Sequence, residues 1–280
     1  MLFLLWWIGF AALTSNVFSY IVPEAMHAYI AIAKTPAPVT SPFTYHFAED
    51  GSLPEASAMD LTWSPYWWVN SGGYLHLRNG VGQTQQGALR RLDPWRVLYG
   101  ASNPIDTNGG YHPQNIFRLV SRTTWENVRL EAQFKITNDN WSSSPNQNAS
   151  NGLLLMSRYK DGNTLYYAGV RVDGNAVIKK KYRGTYYTLA QKKIFVGTYS
   201  EDTNLLPHQT WIRLRSDTKT NTDGSVTIKL YMQNGDGSWK LLLEARDNGS
   251  QGPTITGSGF IGLRTDFMDV EFDTIRVEKI

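Results

Sequence analysis

From Phe43 onward, apolar and polar positions alternate with a period of two, the signature of half-buried strands. In the run Val128 to Ile136, Leu130, Ala132, Phe134 and Ile136 fall on one face. Arg129, Glu131, Gln133 and Lys135 fall on the other. The run Tyr167 to Asp173 repeats the pattern, with Ala168, Val170 and Val172 opposite Tyr167, Gly169, Arg171 and Asp173. Asp173-Gly174 then precedes Asn175 to Lys181, a hairpin signal. Strands are expected at 74–78, 116–121, 128–136, 152–159, 165–173, 175–181, 185–190, 210–216, 225–232, 239–245, 259–264 and 269–277. No helix-period stretch of useful length follows residue 43. Short strands at regular spacing predict an all-β fold of two large antiparallel sheets sharing one core. Long loops are expected at 80–115 and 137–150, both rich in Asn, Gly, Ser and Pro. Loops of that length are often functional.

The amino terminus follows a different pattern. Leu2 to Leu13 is uninterrupted apolar, no charge precedes Glu24, and the first basic residue is Lys34. Roughly 20 apolar residues span a bilayer, and a shorter run serves as a secretory core. Residues 1–33 are therefore expected to be an apolar helix acting as signal or membrane-anchor segment, although no basic residue leads the run. Residues 34–43 (KTPAPVTSPF) form a Pro-rich linker, and 44–280 the β-domain. This organisation predicts an extracellular or cell-surface location, with membrane contact through the amino-terminal segment.

Composition narrows the chemistry. The chain has no cysteine, which excludes disulfides, thiolate zinc sites and cysteine nucleophiles. The net charge of +3 names no partner, but its distribution is uneven. Between residues 171 and 193 lie seven basic residues (Arg171, Lys179, Lys180, Lys181, Arg183, Lys192, Lys193) and one acid, Asp173. Tyr182, Tyr186 and Tyr187 are interleaved. Cations meet carboxylates or sulfates, and aromatic rings stack on sugar faces, so the pattern suits an acidic polymer. No nucleic acid is expected, because no nucleic-acid-binding motif accompanies the modest charge.

The segment GLLLMSRYKDGNTLYYAGVRVDGNAVIKKK resembles the central meander of concanavalin A-like, laminin-G-like jelly rolls. The ending GFIGLRTDFMDVEFDTIRVEKI is similar to their closing strands. The resemblance covers roughly residues 110–280. It implies a two-sheet jelly-roll sandwich within a superfamily of lectins, carbohydrate-binding modules, glycoside hydrolases and polysaccharide lyases. Laminarinase-like glycosidases carry E-x-D-x-x-E on a central strand. Here Glu271-Phe272-Asp273-Thr274-Ile275-Arg276 lacks the second glutamate and lies at the chain's end. Alginate-type lyases carry R-x-E-(L/V)-R and Y-x-K-x-G. Here Arg129-Leu130-Glu131-Ala132-Gln133 and Tyr166-Tyr167-Ala168-Gly169-Val170 lack the last arginine and the lysine. The expected function is recognition of a glycan, specifically an acidic polysaccharide. A lyase acting by β-elimination is the alternative, and a structural surface or assembly protein the second alternative.

Candidate residues follow from these patterns. If Arg129, Glu131, Gln133 and Lys135 share a sheet face with Arg158, Tyr167, Arg171 and Asp173, they form a polar groove. The sugar-binding candidates are Arg118, Arg129, Gln133, Arg158, Lys179, Lys181, Tyr187 and Trp67. Trp67 enters because adjacent Trp67 and Trp68 cannot both point inward. A lyase needs the sugar carboxylate neutralised and a proton moved, which nominates Arg171 with Tyr167 and His112 as catalytic residues. No cofactor is required. The five histidines are scattered without ligand spacing. The resemblance implies a structural calcium, for which Glu49, Asp50 and Asp273 are the candidates if first and last strands pair. The sequons at Asn140, Asn148 and Asn248 fall in expected loops.

Overall fold

The structure is a computed structural model that describes residues 34–280. The expected signal or anchor helix lies outside the described residues. The elements run β1 (Phe43–Tyr45), β2 (Gly51–Pro54), β3 (Trp67–Ser71), β4 (Tyr74–Arg78), β5 (Val81–Thr84), α1 (Pro94–Ser102), β6 (Ile116–Trp125), β7 (Val128–Asp139) and β8 (Gly152–Asp161). They continue with β9 (Thr164–Arg171), β10 (Asn175–Tyr182), β11 (Thr185–Lys193), β12 (Ile212–Thr220), β13 (Val226–Gln233), β14 (Trp239–Asp247), β15 (Gly259–Asp266) and β16 (Met268–Lys279).

The strands form two antiparallel sheets. The nine-stranded sheet has the order β14-β13-β12-β7-β16-β5-β4-β2, with β1 paired to the later part of β16. The seven-stranded sheet has the order β11-β10-β9-β8-β15-β6-β3. The meander β8 to β11 lies in one sheet and the meander β12 to β14 in the other, while β15 and β16 insert into opposite sheets. First and last strands do pair, Phe43 opposite Val277.

Alternation explains which strands face the shared core. In β12 every second residue from Ile212 to Thr218 is buried, and β13 does the same from Val226 to Leu230. Across the sheets, the rings of Phe117 and Phe272 lie 5.5 Å apart, and within the nine-stranded sheet Phe134 meets Phe272 edge-on at 5.7 Å. Fully burying a side chain of this kind contributes about 1.5–3 kcal/mol, so the shared core is the dominant stabilising feature. The continuous apolar run of β8 has a different cause. Its residues are buried on both sides, because a second cluster (Val120, Leu154, Met156, Tyr159, Leu165, Val177) covers part of the seven-stranded sheet's outer face.

One local expectation is corrected. The 80–115 region is not one long loop: it holds β5 and the helix α1. Asp93 caps that helix by accepting the Trp95 amide at 2.9 Å, and Pro94 occupies its first turn. Nine residues including Gly100 are too few for a helical period to stand out. The Pro-rich 34–42 stretch runs along the sandwich, with the Lys34 amide on Thr62 O, the Ala37 amide on Pro65 O and Ser41 Oγ accepting the Lys279 amide.

Candidate functional site

Period-two geometry sets the outer face of the seven-stranded sheet in rows across strands. One row reads Val177, Gly169, Leu154, Arg264, Arg118. The next reads Thr188, Lys179, Tyr167, Met156, Gly262, Val120, Trp68. A cleft of about 490 Å³ opens over these rows, with Tyr167, Tyr186, Lys179, Arg264 and Asp266 on its floor and flank. Glycines keep the strands close beneath it. A Cβ at Gly169 would lie 2.0 Å from the Leu153 carbonyl oxygen, and one at Gly262 would lie 2.1 Å from that of Leu119.

One wall of the cleft is the 144–151 loop, and Asp106 organises it. The Asp106 carboxylate accepts hydrogen bonds from Ser144 Oγ, from Asn146 Nδ2 at 3.0 Å and from Asn103 Nδ2 at 3.0 Å. Burial pushes that carboxyl up, but these donors outweigh it and hold the group below the usual carboxylate range. The expected 137–150 loop thus borders the candidate site.

Arg264 is the centre of the charge pattern. Its Nε donates to Asp266 Oδ1 at 2.8 Å, and its Nη1 donates to the Tyr167 hydroxyl at 3.0 Å. Burial works against its charge, but Asp266 and the two tyrosine oxygens outweigh that cost and hold it firmly protonated. The rings of Tyr167 and Tyr186 lie 6.3 Å apart and nearly parallel. Their hydroxyls diverge in acidity. Burial pushes Tyr167 up to about 12, with Arg264 only partly opposing it. Burial also pushes Tyr186 up, but the positive charges of Arg264 and Lys181 overcome it and bring that hydroxyl below its ordinary value. Lys181 Nζ sits 4.9 Å above the Tyr186 ring, and Lys179 reaches Ser150 Oγ at 3.5 Å.

The expected candidates separate into groups. Tyr167, Lys179, Lys181 and Arg118 meet on this face, Arg118 one strand beyond Arg264 and bonded through Nε to Ser71 Oγ. Arg171 lies behind the 144–151 loop, with three of its five N–H groups donating to Ala149 O, Gln191 Oε1 and Asp173 Oδ2, at 2.8, 3.1 and 2.7 Å. These contacts tie it to the loop and to Asp173, and it is not among the residues lining the cleft. His112 lies under the loop region beside Gln114, and burial holds its pKa below the ordinary value.

The expected groove of Arg129, Glu131, Gln133 and Lys135 with Arg158, Tyr167, Arg171 and Asp173 does not form. Strand β7 belongs to the nine-stranded sheet, so Arg129 and Gln133 face away on the far side of the sandwich. Arg129 is there bound bidentately by Asp217, both contacts at 2.9 Å. Arg158 sits at a bulge in the left-handed backbone region (φ 50°), which turns its side chain inward onto Gly257 O and Thr220 Oγ1, both at 2.8 Å. It is fully buried. Trp67 is likewise buried in the core, and Trp68 takes the outward position, its Nε1 donating to Ala56 O at 2.7 Å. Tyr187 turns to the inner side, 5.5 Å from Lys180 Nζ.

Of the calcium candidates, Asp50 accepts the Asn79 amide at 3.0 Å and Asp273 accepts from the Thr274 hydroxyl at 2.9 Å. Among the described residues no group of three or more His, Asp or Glu side chains converges. The Asn140 sequon is closed by folding, since Asn140 is buried and its Nδ2 donates to Asp269 Oδ1 at 2.7 Å. Arg264 and Asp266 were passed over in the sequence, and Tyr186 was read only as one of the tyrosines interleaved with the basic cluster. The signals were present: Arg264 and Asp266 alternate with core-facing Leu263 and Thr265, and Tyr186 sits among the lysines.

Fold and site define a two-sheet antiparallel β-sandwich with a tyrosine-lined, cationic cleft on one sheet. No family model matches the chain, and no curated protein matches it in sequence. Solved structures resemble it in shape. A carbohydrate-binding module, CBM66, from Bacillus subtilis is 17% identical with a TM-score of 0.41, over 59% of this chain and 82% of that one. The GH43 protein BlXynB from Bacillus licheniformis is 12% identical with a TM-score of 0.46, over 87% of this chain and 40% of that one. A Bacillus licheniformis beta-glucanase is 11% identical with a TM-score of 0.44, over 87% of this chain and all of that one.

Proposed function

We propose that this protein binds an acidic polysaccharide in the cleft on the seven-stranded sheet. The observation that carries the reading is the juxtaposition of an exposed Tyr186 ring with Lys179 and Arg264 around one open cavity, with Lys181 above the same ring. A sugar ring stacks on the tyrosine face while its carboxylate meets the cations. The exposed amides of Asn146 and Asn148 along the wall keep hydrogen-bonding capacity for hydroxyls beyond their bonds within the loop. An extracellular or surface location belongs to the same reading and rests on the apolar run Leu2 to Leu13. The test is titration calorimetry with uronate and neutral oligosaccharides of equal length. Uronate binding lost in Tyr186→Ala and weakened in Lys179→Ala supports the reading, and equal affinity for neutral sugars overturns it.

The divergent tyrosines favour a second reading, β-elimination. Tyr186, drawn toward its phenolate, would take the proton next to a carboxylate neutralised by the surrounding cations. Tyr167, held protonated, would donate to the leaving oxygen as the carbon–oxygen bond breaks and a carbon–carbon double bond forms. Ultraviolet absorbance of unsaturated product from a polyuronate checks it. Product formation abolished by Tyr186→Phe, with binding retained, supports this second reading. Binding without product leaves only the first.

A further inference from the structure

A separate surface lies beside the cleft, in the 90–111 segment and the loop that touches it. Among the described residues, large exposed hydrophobic side chains concentrate here: Leu92, Val97, Leu98, Ile105, Tyr111 and Trp141. Leu92 is 88% exposed and Ile105 62%. The segment is one built unit. Leu89 and Tyr111 are joined by a backbone hydrogen bond of 2.7 Å. Asn108 Nδ2 holds Trp141 O at 3.1 Å, and Ser142 Oγ holds Ile105 O at 3.3 Å. The apolar side chains are therefore presented by an ordered scaffold, and contiguous exposed apolar surface marks an interaction site.

Charge identifies the occupant. Arg90 and Arg91 are exposed immediately before Leu92, and Arg96 stacks 4.1 Å from the Tyr111 ring. The two carboxylates of the segment face inward. Asp93 caps α1 and meets the Tyr74 hydroxyl, and Asp106 is held by the cleft wall. The outward surface thus combines leucine, valine and isoleucine side chains with arginines and interfacial aromatics. That is the composition of a surface that settles into the headgroup region of an anionic bilayer. We propose that the 90–111 segment, with Trp141, docks the domain on an anionic lipid surface. Because Asp106 of this segment also lines the cleft, docking sets the cleft alongside the bilayer. This inference does not depend on the glycan reading.

The absence of cysteine allows a direct test in the full chain. A fluorophore is attached at Leu92→Cys or, on the remote edge strand β14, at Lys240→Cys. Each protein is mixed with vesicles of phosphatidylcholine alone, or with phosphatidylglycerol added, that carry a lipid-bound quencher. Reading the label's position separates docking by this surface from attachment through the amino-terminal segment. The expected result is quenching at position 92 and not at 240, on the anionic vesicles, lost when Arg90→Glu and Arg91→Glu are added. A label at 92 that stays unquenched while the protein sediments with vesicles overturns the proposal. Equal quenching at both positions overturns it as well. So does a concentration-dependent spectral shift at 92 without vesicles, which would assign the surface to a second copy of the chain.

Discussion

Lys180 Nζ lies 2.8 Å from the Asp247 carboxylate in the interior of the sandwich, both side chains almost completely buried. The pair joins strand β10 to strand β14, one from each sheet. Lys180 also donates to Gly252 O at 2.7 Å and Pro253 O at 3.2 Å, and the Tyr166 hydroxyl donates to Asp247 at 2.6 Å. Every proton of the ammonium is thereby used. Removing one partner leaves the other charge buried and uncompensated, which costs about 3–5 kcal/mol. Lys180→Met should lower unfolding stability by about that amount in urea titration. Adding Asp247→Leu should recover part of the loss, because the stranded carboxylate is then gone.

The cleft cations make a quantitative prediction. Removing a charge-assisted hydrogen bond costs about 1.5–3 kcal/mol, or roughly a tenfold to hundredfold loss of affinity. Lys179→Ala should weaken uronate binding on that scale with circular dichroism unchanged. Affinity of the native chain should fall with added salt, and fall less steeply in the Lys179→Ala, Lys181→Ala double variant. Calorimetry at two ionic strengths checks both.

Gly169 should tolerate no side chain. Its Cβ would meet the Leu153 carbonyl oxygen of the adjacent strand at 2.0 Å, and backbone has no rotamer to yield. Gly169→Ala should destabilise the fold by about 1–3 kcal/mol and reduce binding by spreading β8 from β9 beneath the cleft. Denaturant melts paired with calorimetry separate the two effects.

His208 gives stability a pH dependence of known sign. Its Nε2 lies 2.9 Å from Asp139 Oδ2, and this hydrogen bond raises its pKa above the ordinary value against the opposing effect of burial. The folded state therefore holds the proton more tightly than the unfolded chain, where the value is about 6.5. The contribution is fully present below that value and is lost as pH rises through the folded value. His112 and His76 are shifted the other way by burial, so the comparison needed is native against His208→Gln. The difference in unfolding stability should be largest at the acidic end of the range and shrink toward alkaline pH.

Strand existence was legible because it is written locally. The runs from Tyr74 to Lys279 carry their own alternation and their Asp-Gly and Asn-Gly turns, and each expected strand appears. Short elements such as β1, β2 and β5 were not legible, since three or four residues carry no period. The site was partly legible. Tyr167 was read from its alternation along β9 and Lys179 and Lys181 from the basic run at 171–193, and the structure sets them on one face. Arg264 was missed because nothing near it in sequence links it to Tyr167, 97 residues away.

The sequence by itself determined an all-β chain, the positions of most strands and which side chains on each strand share a face, because side-chain alternation is a property of a few consecutive residues. Only the tertiary structure decided which faces meet. Strand β7 alternates as clearly as β9, yet joins β12 and β16 in the opposite sheet, which sends Arg129 to one side of the molecule and Tyr167 to the other. The lysine run was divided in the same way, with Lys179 and Lys181 on the outer face and Lys180 directed to the core. Strand pairing is settled by packing between segments far apart in the chain, and a bulge such as the one at Arg158 reverses a side chain that local alternation would have placed outside.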